Sequence, residues 1–225
     1  TYSSSWNGIT SLGRDSAGYH AGASVTIMRG LRIIGDRFHG IGMGSSDAGI
    51  SIRDHVDFRH GEISGTYHDA IGRGRAIDVR GTATNKIAGL VIDGVKFFEA
   101  LEALLYAEHL SRFVISNSTY IANISAHAKG DGITLNSSNL GEISNISIYN
   151  APRHGLQMDG CESVGVRATR VSSAGVNEVG HGLRIASTCT GIFLDHVWAS
   201  GASGWGLIGS PTNSERWGGR FLGDL

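Results

Sequence analysis

The sequence predicts an all-β parallel β-helix, a solenoid in which each turn of chain is one coil of short strands. Three observations carry that prediction. "RHGLQMDG" at 153–160 returns as "GHGLRIAS" at 180–187 and, in weaker form, as "GWGLIGS" at 204–210. Apolar and polar residues alternate over short stretches of four to eight residues, the period of a half-buried strand and too short for a helix. The 225 residues include 34 Gly but only 2 Pro, and Gly, Asn, Asp and Ser punctuate the strand-like stretches as turns.

The elements follow in chain order from one alignment, a Gly or Ala followed by apolar–x–apolar. It picks out "GISI" at 49–52, "AIDV" at 76–79, "ALLY" at 103–106, "GITL" at 132–135, "GLQM" at 155–158, "GLRI" at 182–185 and "GLIG" at 206–209. The first apolar residues are Ile50, Ile77, Leu104, Ile133, Leu156, Leu183 and Leu207. The interval from Ile50 to Ile77 recurs between Ile77 and Leu104 and between Leu156 and Leu183, and the remaining intervals differ from it only slightly. A second strand-like stretch falls within most units: "GLRIIGDRF" at 30–38, "GLVIDGVKF" at 89–97, "RFVISNSTY" at 112–120, "VGVRATRVS" at 164–172 and "GIFLDHVWA" at 191–199. A repeat of this length with two or three short strands buries its apolar face only by stacking on its neighbours. The Leu-x-x-Leu-x-Leu and Asn consensus of leucine-rich repeats is absent. We expect one domain over 1–225 with about seven or eight coils. Its ends read as strands in mid-coil, so a fragment of a longer chain, or a subunit with covered ends, is expected.

Composition narrows the function classes. A formal charge of −1, with 19 Lys and Arg against 20 Asp and Glu and no basic run, gives no footprint for a nucleic-acid backbone. No apolar stretch approaches the length of a membrane span, and "TYSSSWNGIT" lacks the regions of a signal peptide. Cys161 and Cys189 are too few for a disulfide framework and have no zinc-type spacing. Sequons begin at Asn117, Asn123, Asn136 and Asn145, where an Asn- and Ser-rich repeat produces them by chance. His55, His60 and His68 in "DHVDFRHGEISGTYHD" do not match a compact metal motif and read as solvated turn residues.

Stacking turns sequence spacing into vertical spacing of about 4.8 Å per coil. The position before each aligned Gly or Ala reads Ala48, Arg75, Glu102, Asp131, His154, His181 and Trp205. The outward position within the strand reads Ser51, Asp78, Leu105, Thr134, Gln157, Arg184 and Ile208. These make a strip of acids, imidazoles and arginines ending in an aromatic. Two readings fit it: an ordinary polar outer column, or a groove for an extended saccharide, which needs acids for catalysis and an aromatic for stacking.

With those repeats in hand, nearly the whole chain from about Ser24 resembles the right-handed parallel β-helix superfamily of pectate lyases, polygalacturonases and phage tailspikes. A narrower resemblance is to polygalacturonase-type hydrolases, through "ALEALLY" at 100–106, "KGDGITLNSS" at 129–138, "RHGLQMDG" at 153–160 and "GLRIAS" at 182–187. It implies acidic roles for Glu102 and Asp131, the histidine role for His154 and the arginine role for Arg184. The chain departs from that pattern at Gly130, where one paired aspartate is replaced, and at Ala186, where the lysine is replaced.

Glycosidic hydrolysis needs one carboxylic acid for the leaving oxygen and a second carboxylate as base or nucleophile. Glu102 and Asp131, on neighbouring coils, are the expected pair, with Arg75, Asp78, Gln157, His181 and Trp205 as substrate contacts. The rival chemistry is β-elimination by a lyase, with Ca²⁺ held by Asp78, Glu102 and Asp131 and with Arg184 or a histidine as base. A non-catalytic glycan-binding β-helix is the alternative from another class, and a structural spacer a third. The expected biology is that of a phage tailspike depolymerase acting on capsular polysaccharide or lipopolysaccharide, located on a virion tail or outside the cell. The resemblance also implies a homotrimer. Neither a nucleic-acid partner nor membrane insertion is expected, and no cofactor beyond Ca²⁺ for a lyase.

Overall fold

Alternating apolar residues form strands here because each strand meets an equivalent strand one coil away and buries one face inside the stack. The computed structural model describes residues 5–6, 9–10, 19–21, 27–29, 32–35, 37–39, 48–53, 57–69, 75–98, 103–121, 130–172, 174–175, 179–204 and 206–209. Side chains are described at 32–35, 49–52, 59–66, 75–98, 103–121, 130–172, 174–175, 179–204, 206 and 208.

Successive coils contribute strands to three sheets, all joined by parallel pairing except at the start of the chain. The first sheet runs through Tyr19–Ala21, Ala48–Arg53, Arg75–Arg80, Leu105–Glu108, Ile133–Asn136, Leu156–Asp159, Leu183–Ile185 and Leu207–Gly209. The second includes Asp57–Ser64, Ile87–Asp93, Asn139–Ser144, Glu162–Arg167 and Thr190–Asp195. The third includes Lys96–Phe98, Thr119–Ile121, Ser147–Tyr149, Arg170–Ser172 and Trp198–Ser200. This is a parallel β-helix, as the repeat predicts.

The core is a set of vertical files. Ile50, Ile77, Leu105, Ile133, Leu156 and Leu183 are register partners on the first sheet and all are buried. Aromatic stacking adds to it, with the Phe97 and Tyr120 rings 4.6 Å apart at 22°.

The register corrects one alignment. Leu105, not Leu104, pairs with Ile77 and Ile133, and it divides the stretch between them evenly. Leu105 therefore points into the core, and Tyr106 takes the outward position between Asp78 and Thr134. By the same count Ala103, not Glu102, falls in line with Arg75 and Asp131.

The repeated Gly-Leu pair now has a physical reason. A Cβ on Gly155 would sit 2.2 Å from Val171 Cγ1 and 2.6 Å from the Gly182 carbonyl oxygen. On Gly182 it would meet the Ala199 Cβ at 2.4 Å. The coil folds tightly here against the third sheet, and only glycine permits the approach.

Described turns between the second and third sheets use a left-handed residue at Gly35, Gly65, Gly94, Asn117, Asn145, Ala168 and His196. Asn145 Nδ2 donates to Asn117 Oδ1 and Asn117 Nδ2 to Asp93 Oδ1, each at 2.7 Å. Two of the four sequon asparagines are thus rungs of a side-chain ladder that satisfies the turns.

Candidate functional site

The outer face of the first sheet gathers the charged side chains that the core excludes. Asp78, Asp131 and His154 are the acidic and basic side chains buried among the described residues, and all three belong to this face. Burying a carboxylate is costly unless it is paired and hydrogen-bonded. Both are.

Asp78 lies fully buried in the strand Arg75–Arg80. Its Oδ1 accepts from Arg80 Nε at 2.7 Å, and its Oδ2 accepts from Arg80 NH2 at 2.9 Å and Arg75 NH1 at 3.0 Å. The two guanidinium groups also lie over Tyr106, with Arg75 Cζ 4.0 Å and Arg80 Cζ 4.7 Å from its ring centroid. Burial is the main cause that raises the Tyr106 phenol above its ordinary pKa. Tyr106 Oη donates to Glu108 Oε2 at 3.2 Å and accepts from Asn136 Nδ2 at 3.0 Å. A third sequon asparagine is therefore engaged within the fold.

Asp131 anchors the neighbouring half of the face. Arg153 grips it through Nε to Oδ1 and NH2 to Oδ2, both at 2.9 Å. The His154 backbone N–H adds 3.1 Å to Oδ1, and Thr134 Oγ1 adds 2.9 Å to Oδ2. Gln157 completes the set, its amide nitrogen donating to Asp131 Oδ2 at 3.2 Å while its oxygen accepts from Arg184 NH1 at 3.2 Å. Five donors saturate the carboxylate.

His154 continues the chain of contacts upward. Its Nδ1 accepts the His181 backbone N–H at 3.0 Å, and the two imidazoles stack with centroids 5.2 Å apart at 5°. Burial pushes the His154 imidazole down to about 4; Arg153, His181 and Arg184 add to that, and Asp131 opposes it. The ring is neutral near pH 7, with Nδ1 as acceptor and Nε2 carrying the proton.

The structure thus brings together Arg75, Asp78, Asp131, His154, Gln157, His181 and Arg184 on one face. Glu102 and Trp205 lie outside the described residues, as does His55. Asp78 and Asp131, both expected to reach a ligand, are instead sealed beneath arginines. Among the described residues, no group of three or more His, Cys, Asp or Glu comes together in a way that could hold a metal ion.

Sequence reasoning missed Arg80, Tyr106, Glu108, Asn136, Arg153 and Asp159. Glu108, Asn136 and Asp159 are register partners on successive coils and form a second outward file beside the first. Glu108 and Asp159 are half-buried and open to solvent. Glu108 contacts His109, and Asp159 accepts from Thr188 Oγ1. The signal for them was the alternation itself, carried two residues past Asp78 and its equivalents. Arg153 stood in plain view in "RHGL".

The fold and this face define a parallel β-helix with a networked polar face on its first sheet. No protein-family model matches the chain, and no curated protein matches it. Among solved structures it is similar to the enzymatically active domain of tailspike protein 2 from bacteriophage CBA120, with a TM-score of 0.50 and 12% identity. That match covers 86% of this chain and 38% of the tailspike domain, so the chain spans little more than a third of its length. A protein of Parabacteroides merdae provisionally named a glycosyl hydrolase aligns over 80% of this chain and 76% of its own, at 11% identity and a TM-score of 0.34. The tailspike match shows a shared fold. Among the described residues no helix is long and apolar enough to cross a membrane.

Proposed function

We propose that the chain is the glycan-processing β-helix of a tailspike-like depolymerase and cleaves glycosidic bonds of a bacterial capsular polysaccharide or lipopolysaccharide along the outer face of its first sheet. The observation that carries this reading is the concentration of buried charge under one face. A solenoid gains little stability from buried ion pairs compared with apolar packing, so their confinement, among the described residues, to one face fits a rigid platform that holds polar side chains in place.

In this reading Asp78 and Asp131 are positioning residues. Asp131 fixes Arg153 and Gln157, and Gln157 in turn orients Arg184 toward a sugar oxygen. Tyr106, clamped by two arginines, offers the groove its aromatic surface. The acid and base are Glu108 and Asp159, two coils apart, with backbones about 10 Å from one another. Backbones at that spacing are compatible with a carboxyl separation of roughly 6.5–9.5 Å, which leaves room for an attacking water and inverts the anomeric centre. One carboxyl gives its proton to the leaving oxygen while the other takes a proton from that water. A virion-tail or extracellular location and trimeric assembly belong to the same proposal.

The test is reducing-end release from a panel of capsular polysaccharides and lipopolysaccharides, read together with the ultraviolet absorbance of the unsaturated products that a lyase makes. Glu108→Gln and Asp159→Asn should each abolish release while glycan affinity is kept. Release that survives both substitutions, or unsaturated products, would refute the assignment.

A further inference from the structure

Cys161 and Cys189 lie one full coil apart in sequence and occupy equivalent positions of adjacent coils. The neighbouring residues Glu162 and Thr190 are register partners, and Thr190 N–H donates to the Cys161 carbonyl at 2.9 Å. Both side chains are buried free thiols at the turn between the first and second sheets. Cys189 Sγ lies against the preceding coil, 3.4 Å from the Cys161 backbone N–H. Cys161 Sγ in turn lies 3.3 Å from the Leu135 carbonyl oxygen and 3.5 Å from that of Asp159. One coil earlier Ser138 fills the same position, and its Oγ accepts the Leu110 backbone N–H at 3.0 Å in the same way.

We infer that Cys161 and Cys189 form a vertical disulfide that staples two consecutive coils when the protein meets a low-molecular-weight disulfide oxidant. Adjacent strands lie about 4.8 Å apart, inside the roughly 4.4–6.8 Å Cα separation a disulfide spans. The two thiols also influence each other's acidity: the neighbouring Cys161 draws Cys189 down to about 7, and Cys189 in turn pushes Cys161 up. Cys189 is the attacking thiolate. It displaces one glutathione from glutathione disulfide, and that leaving thiolate takes a proton from solvent. Cys161 then releases its proton to solvent and its sulfur displaces the second glutathione from Cys189 as a thiolate, which takes up a proton from solvent. Two protein thiols are oxidised and one glutathione disulfide is reduced to two thiols.

The test is refolding from denaturant in a glutathione redox buffer, which exposes both thiols to oxidant, followed by intact mass and non-reducing peptide mapping. The expected product has lost two hydrogens, retains no glutathione and yields one peptide cross-linked through Cys161 and Cys189. Its thermal midpoint should stand about 5 °C above the reduced form, a gain reversed by dithiothreitol. Cys161→Ser and Cys189→Ser should fold, because serine already serves at 138, and should lose both the cross-link and the gain. Two alkylatable thiols after refolding, or a persistent mixed disulfide with glutathione, would overturn the inference.

Discussion

Lowering the pH from 7 to 5 should destabilise the native chain by about 2 kcal/mol through His154 alone. The folded imidazole titrates near 4, because it is buried and faces Arg153, His181 and Arg184, whereas an unfolded histidine titrates near its usual 6.5. The folded value is depressed, so the unfolded chain binds more protons between these two limits. His154's stabilising contribution is therefore complete above about pH 6.5 and is lost as pH falls toward 4. Replacement by asparagine supplies an acceptor near the place of Nδ1 for the His181 N–H but has no proton to gain. Urea unfolding of both proteins at pH 7 and pH 5 isolates the effect, since every other titrating group is shared. Over that interval the wild type should lose about 2 kcal/mol more than His154→Asn, the part of the imidazole's linkage contribution that falls between pH 7 and 5. Equal losses would refute the claim that the ring is held neutral by burial and neighbouring cations.

Two further predictions concern the platform and the coil. Asp131→Asn should cost about 2–3 kcal/mol in denaturant unfolding, because it leaves Arg153 facing an amide where the carboxylate had accepted two hydrogen bonds. Gly155→Ala should cost about 3 kcal/mol, its new methyl driven into Val171, whereas Gly206→Ala should cost under about 1 kcal/mol because its nearest new contact is an ordinary 3.6 Å. Similar costs at the two glycines would show that the repeated glycine answers to something other than close approach.

The inward files were readable from sequence because burial imposes a period of two and stacking imposes a nearly constant interval. The alignment slipped where both signals were weak. In "ALLYA" at 103–107, consecutive Leu104 and Leu105 are both buried, so either could start the strand pattern, and Tyr106 was lost from the outer file. The strip at Asp131, His154, Gln157, His181 and Arg184 was found because charged and imidazole groups at repeat-equivalent positions must share an edge. What lies between them was not readable. That Arg153 would seal Asp131, or that Arg75 and Arg80 would meet over Tyr106, depends on rotamers chosen between coils, which a spacing in the chain does not encode. The adjacency of the two cysteines was hidden in the same way by a full coil of intervening chain.

The most direct measurement is calorimetric binding of a capsular or lipopolysaccharide oligosaccharide to the wild type, to Arg184→Ala on the first sheet and to Glu142→Ala on the second. The groove reading predicts at least about a tenfold loss of affinity for Arg184→Ala, the worth of one charged hydrogen bond, with Glu142→Ala within about twofold of wild type. Undiminished binding by Arg184→Ala, or an equal loss at Glu142, would contradict it.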